Sequence, residues 1–328
     1  MDYGPYISKS ELALVYIVYF MPLVLAFVCG SVIGSLSNVV IYRLPRKESI
    51  WHPPSHCPGC QTPIAWYDNI PIYSWIRLRA RCRHCKMPIS PRYIIVEFLS
   101  GSLYAGILYL MAYIPMQEGR LPNELPNLSN LSLSYIPILV KAYIFASFLL
   151  ILSFIDLDVR LLPNRLTFPG MILGLILSFA FFPEGPKEWR IDSVFLRYVD
   201  SLLGLILGGG VLFLIAMIQP KGMGGGDIKL CAMIGAFLGW KAMIVALFLG
   251  FLAGAISSLF LMVMKLATMK SLIPFGPYLA LGGLISMLYG KTILWIYYDI
   301  GIRHESQQAV QAVSQLPIYF MHIFRLLS

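Results

Sequence analysis

Stretches of predominantly apolar residues recur along most of this chain, and many reach the roughly 20 residues that a helix needs to cross a bilayer core. Few folds are open to such a chain, because backbone groups inside lipid must be satisfied within helices or closed barrels. The runs read approximately as 12–42, 93–114, 134–154, 166–182, 194–218, 228–239, 242–264 and 274–298. The expected fold is therefore an all-α polytopic membrane protein with about eight transmembrane helices and a small polar loop domain, read below as cytosolic and zinc-binding from its charges and cysteines. The sixth run is about a dozen residues long, short for a full span and suited to a broken helix shielded by its neighbours. Composition agrees: 58% of the 328 residues are hydrophobic and 12% charged, too little charge to cover a soluble globule.

The first segment does not read as a cleaved signal peptide, since Asp2 precedes Lys9, the apolar run is long and no small-residue site closes it. The loop that follows holds Arg43, Arg46, Lys47, Arg77, Arg79, Arg81, Arg83, Lys86 and Arg92 against Glu48 and Asp68. Basic short loops stay in the cytoplasm. Alternation then puts the N-terminus outside, the loops near Arg160, Lys221 and Lys265 inside, and 115–133, 183–193 and 299–328 outside. The net charge of +9 thus has a topological origin, and nucleic-acid binding is not expected. The division expected is 1–42 as an N-terminal helix, 43–92 as a cytosolic module, 93–298 as a helical bundle and 299–328 as an extracytoplasmic tail. The irregular stretch 121–134 reads as an outer loop, and 316–327 as an amphipathic segment along the surface.

Cys57-Pro-Gly-Cys60 and Cys82-Arg-His-Cys85 are two C-x-x-C pairs separated by 21 residues, close to zinc-ribbon spacing. Each turn supplies two thiolates, and two facing turns close a tetrahedral S4 site with no open position, which suits structural zinc and no catalysis by the metal. Disulfides are the competing reading, disfavoured in a reducing cytoplasm. His52, His56 and His84 lie near enough in sequence to replace a thiolate or to sit behind one. Cys29 and Cys231 fall in membrane segments and read as small packing residues.

Ionisable groups in apolar segments are costly and mark function. Three acidic candidates adjoin the spans: Glu97, the pair Asp156 and Asp158, and Asp227. Asp156 ends the third span and Asp227 begins the sixth, after Gly224, Gly225 and Gly226, both at the predicted cytoplasmic edge. Two carboxyls sharing one site can activate water while donating to a carbonyl oxygen, as aspartic proteases do. The glycines let the backbone approach closely, as an extended peptide requires. A helix-capping Asp227 behind a glycine loop is the other reading of the same residues.

Taken in order, the motifs resemble the type IV prepilin peptidase family, bifunctional leader peptidases and N-methyltransferases. The order is Gly34-Ser35 through Asn38 and Arg43-Leu44-Pro45, the cysteine pairs, Ser90-Pro-Arg92-Tyr93 with Glu97, Asp156 through Leu162-Pro163-Asn164, Gly224 to Lys229, and Pro274-Phe275-Gly276-Pro277. The resemblance implies a catalytic pair at Asp156 and Asp227, with Gly224, Gly226, Lys229 and Asp158 supporting. It implies prepilin or pseudopilin precursors as substrates, cut after a Gly where a short basic leader meets an apolar helix. It implies methylation of the new N-terminus by S-adenosylmethionine, with Glu97, Asn38 and Arg43 as candidate contributors, whose other role is helix pairing and anchoring. A bacterial inner-membrane location follows from the same resemblance. Ile94 stands where a Pro often follows Arg-Tyr, and Asn164 replaces a frequent Asp. The rival functions are a proton-coupled transporter using the two Asp residues, a peptidase without methyltransferase activity, and a membrane assembly protein with a zinc docking module.

Overall fold

The computed structural model describes residues 9–113, 135–180, 193–218, 224–266, 268 and 274–298. The outer loop 121–134, the tail 299–328, Lys221 and nearly all of 183–193 lie outside the described residues. Helix α1 (Lys9–Arg43) leads through a loop with a short α2 (Tyr73–Arg77) into α3 (Arg92–Leu108), which continues as a π-turn over Tyr109–Tyr113. Then come α4 (Tyr135–Val159), α5 (Asn164–Ile176, extended by a 3-10 turn at Leu177–Phe179), α6 (Val194–Ile218), α7 (Gly225–Leu238), α8 (Trp240–Val263) and α9 (Gly276–Tyr298). No strand occurs among the described residues, only two isolated bridges in the cysteine module.

Eight helices fall where the apolar runs predict them, and six are long and apolar enough to cross a bilayer. The other two, α5 and α7, are short. Helix α7 has 14 residues, about 21 Å at 1.5 Å per residue, less than a bilayer core. Its solution is burial in protein: every residue from Leu230 to Leu238 is buried, in one cluster with Phe145 and Leu149 of α4, Met243 of α8 and Leu279 of α9. The dozen-residue run is thus the centre of the bundle, shielded by its neighbours.

Small residues create that centre. A Cβ on Gly235 of α7 would collide with the Gly204 carbonyl of α6, so the two backbones touch where larger side chains would separate them. Gly239, at φ +79°, turns α7 directly into α8 with a backbone that L-residues avoid. At the other side, α1 and α3 pack at Gly34, whose Cβ would lie 2.8 Å from the Glu97 Cα.

An ion pair between Arg92, at the start of α3, and Asp158, near the end of α4, sets those two ends level. The cysteine module enters α3 at Arg92, so the module and Asp156 share one end of the bundle. The opposite end gathers Lys141 of α4, Asp200 of α6, the Gly239 turn and Lys291 of α9, all three ionisable groups buried.

Candidate active site

Asp156 lies in the last turn of α4, 6% exposed, and Asp227 in the first turn of α7, partly accessible. Separate helices bring them within electrostatic reach of each other. Three contacts from distant parts of the sequence hold this arrangement. Asp156 Oδ2 accepts the Gly276 N–H at 2.9 Å, at the N-terminus of α9. A Cβ on Gly276 would stand 2.8 Å from the same oxygen, so only glycine lets that backbone approach the carboxylate. Leu162 of the turn after α4 covers Gly226, whose Cβ would come 2.9 Å from the Leu162 Cβ.

The third contact is from Lys229 Nζ, which donates to Asn164 Oδ1 at 2.6 Å, tying the start of α5 to the first turn of α7. The motifs Leu162-Pro163-Asn164 and Gly224 to Lys229 therefore interlock. Asn164, the apparent departure, keeps an acceptor for the lysine. Gly224 is the N-cap residue in extended conformation, and Gly224 and Gly225 are exposed beside Asp227. Asp158 sits apart, exposed and paired with Arg92, a fastening between helices.

Glu97, Asn38 and Arg43 are all buried, and each is bound to backbone. Glu97 Oε2 accepts the Ile72 N–H of the module at 2.7 Å, and Asn38 Nδ2 donates to the Tyr93 carbonyl at 3.1 Å. Arg43 donates to the carbonyls of Ser49 at 3.0 Å and Ile50 at 3.3 Å, folding the chain back as it leaves α1. Among the described residues these bonds fasten the module to α1 and α3, and none reaches Asp156 or Asp227.

The four module cysteines converge, with all Sγ atoms within 4.8 Å of one another. Two like turns achieve this: the N–H of Cys57 bonds the Thr62 carbonyl at 3.0 Å, and that of Cys82 bonds the Met87 carbonyl at 2.8 Å. Gln61 and Lys86, each just after the second cysteine of its pair, both adopt φ near +60° (56° and 62°). A tetrahedral zinc with bonds near 2.3 Å requires sulfurs about 3.8 Å apart. Cys57 and Cys85 stand 3.6 Å apart, Cys60 and Cys82 4.0 Å, so the donor set fits such an ion. Hydrogen bonds from Thr62 pull the Cys60 thiol down to about 6, and backbone N–H groups of Cys85 and His84 lower that of Cys82. At Cys85 the Met87 N–H is outweighed by desolvation and the three neighbouring thiols, which push it up to about 11, so four thiolates this close need a cation between them. None of His52, His56 or His84 joins the cluster; His56 Nδ1 instead meets the Pro54 carbonyl at 3.0 Å. Cys231 packs in the core as expected, whereas Cys29 lies on the exposed face of α1, because only part of a long helix faces its neighbours.

Three functional-looking groups escape a sequence reading that looks for acids near the predicted cytoplasmic edge. Lys141 Nζ donates to the Ala180 carbonyl at 3.0 Å, and the Asp200 carboxylate interacts with Lys141, Lys291 and the Trp240 N–H. Their signal was present as charge within apolar runs.

Residues 28–111 match the family described as Bacterial Peptidase A24 N-terminal domain, and residues 143–259 the Type IV leader peptidase family. The chain is 33% identical over 298 residues to the prepilin leader peptidase/N-methyltransferase of Aeromonas hydrophila, covering 82% of this chain and 91% of that protein. The protein of the same name from Stutzerimonas stutzeri is 32% identical, with 83% and 92% covered. That of Myxococcus xanthus is 38% identical over 73% of this chain, and the match spans 63% of its length. No solved structure matches the chain.

Proposed function

We propose, since the chain belongs to the type IV leader peptidase family, that it is an aspartic endopeptidase of prepilin or pseudopilin precursors which also N-methylates the new N-terminus. The observation that carries the peptidase is the meeting of Asp156 and Asp227 at one end of the bundle beside exposed glycine backbone. Two neighbouring carboxyls share a proton. The ionised one takes a proton from water as it attacks the peptide carbonyl, and the protonated one donates to the carbonyl oxygen. Collapse of the tetrahedral species then breaks the C–N bond, and the departing amine receives the proton held by the base. The Gly276 N–H orients Asp156, and Lys229 with Asn164 orients the turn carrying Asp227.

In this reading 93–298 is the catalytic bundle, 43–92 the cytosolic module and 1–42 its anchoring helix. The catalytic end faces the cytoplasm of a bacterial inner membrane, with the N-terminus outside. Cleavage falls after a Gly, where the precursor's apolar helix leaves the bilayer. Zinc on Cys57, Cys60, Cys82 and Cys85 would cross-link the module and take no part in the reaction. S-adenosylmethionine would be the methyl donor. Glu97 and Asn38 each hold one backbone partner and stand, with Arg43, as the candidate contributors to methyl transfer. They act as positioning residues, with Arg43, between module and bundle.

A proton-coupled transporter is not favoured. It needs a polar route to the far end, and the run Leu230–Leu238 that leads there from Asp227 is apolar and buried throughout. Mass spectrometry of a co-expressed precursor tests the proposal. The expected product begins immediately after the Gly and carries one methyl group. An uncut precursor would overturn the peptidase, and a cut but unmethylated product would overturn the second activity.

A further inference from the structure

The cysteine module does not simply hang below the bundle. Glu97, which accepts the Ile72 N–H, lies five residues into α3 from Arg92, about 7.5 Å along the helix axis. Ile72 also lines, with Ile94, Ile95, Phe98 and Leu99, a shallow apolar cavity of about 290 Å³ on the outer side of α3. Ile95, Phe98 and Leu99 are exposed residues of a membrane-spanning helix, so this side faces lipid. Ile72 is therefore held at the depth where headgroups give way to acyl chains, since amphipathic segments bury their apolar faces about 5–10 Å into that boundary.

Helix α2 follows directly. Its Ser74 is buried and donates to the Tyr67 carbonyl at 3.1 Å, which turns Tyr73, Ile76 and Arg77 outward together. Tyr73 is 54% and Ile76 60% exposed, a high cost in water and none in a lipid interface. Arg77, Arg79 and Arg81 are exposed and form no ion pair among the described residues, unlike Arg83 with Asp68 and Arg92 with Asp158. Three cations without an ion pair among the described residues, Arg77 being near the Asp68 charge that Arg83 already pairs, complement anionic phospholipid beside an apolar stripe. They would repel a basic peptide or a second copy of the same surface.

We propose that the segment Ile70–Arg77 is an interfacial membrane anchor, seated on the inner face of an anionic bilayer with Arg77 and the following Arg79 and Arg81 on lipid phosphates. The zinc module is then held at a set depth beside the bundle from both its ends and its middle.

The test uses the full chain in nanodiscs, with p-benzoylphenylalanine replacing Tyr73 or Ile76 and lipid adducts read by mass spectrometry. Replacement of Phe98 serves as the lipid-facing control, and of the exposed Gln61, at the metal end, as the aqueous one. In discs of phosphatidylethanolamine with phosphatidylglycerol, the 73 and 76 probes should form adducts at least half as often as the 98 probe, and the 61 probe none. Adding Arg77→Gln and Arg79→Gln should lower the yield at 76 at least threefold without changing that at 98, with zinc content confirming the fold. Adducts at 98 but not at 73 and 76 would overturn the proposal. So would cross-links from 73 or 76 to another protein chain in place of lipid, or a yield indifferent to the two arginines.

Discussion

Each end of the bundle buries an aspartate against a glycine, and the charges around the two differ. Asp156 receives the Gly276 N–H, and Asp200 the Trp240 N–H beside Gly239, where a Cβ would collide with its carboxylate. The neighbours differ. Asp156 faces a second carboxyl, Asp227, next to exposed backbone, whereas Asp200 is surrounded by Lys141, Lys241 and Lys291. Nearby cations favour the ionised carboxylate and suit a clamp, whereas a second carboxylate favours sharing one proton, which is what the proposed mechanism uses. A buried aspartate in a membrane segment is thus no mark of catalysis by itself, and its nearest charges decide.

The sharpest test of that contrast is a matched set of amides. Asp156→Asn and Asp227→Asn should each lower precursor cleavage about a thousandfold or more, with the protein still present in membranes by immunoblot. Asp200→Asn should leave cleavage per folded molecule within a few fold; comparable loss at both ends would break the comparison. Asp200→Ala should instead cost about 3–5 kcal/mol of stability, seen as a lower Tm in detergent, because buried lysines lose their counter-charge. Gly276→Ala should slow cleavage about tenfold to a hundredfold with little change in Tm, since its Cβ would press on the Asp156 oxygen from 2.8 Å.

The module should respond differently from either end. Stripping its metal with a chelator, or Cys60→Ser, should remove one zinc per chain and reduce folded yield, measured by metal analysis; undiminished zinc in Cys60→Ser would count against the tetrahedral site. The smallest effect expected is from Asp68→Asn, under about 1 kcal/mol in chemical denaturation, since its pair with Arg83 is on the surface. The hydrogen bond from Arg83 holds the Asp68 carboxyl below its ordinary value. Its contribution is therefore full above about pH 4 and lost only as pH falls through the lowered value. The gap between Asp68→Asn and the unaltered protein should stay constant from pH 8 to 6.

Much of this was legible in the chain. Apolar runs located eight of the nine described helices, all but α2, because length and hydropathy are local properties that lipid enforces. Paired C-x-x-C turns located the four-thiol cluster, because each turn builds half of it from adjacent residues. Asp156 and Asp227 could be placed at one edge by counting crossings. Gly276, by contrast, carries no sign of its task in Pro274-Phe275-Gly276-Pro277, since its partner is 120 residues away. Asn164 looked like a departure until Lys229 was seen to reach it. Glu97 and Asn38 hold backbone partners in the module and in α3, which residue type alone does not reveal.

The sequence by itself determined that the chain spans a membrane repeatedly, where its spans lie and which acids stand at their ends. The tertiary structure alone decided which aspartate meets a carboxyl and which meets lysines. It also decided that the shortest apolar run becomes the centre of the bundle. The physical reason is range: solvation by lipid acts on each segment separately, whereas a carboxylate's chemistry depends on charges brought within a few ångströms by helices far apart in the chain.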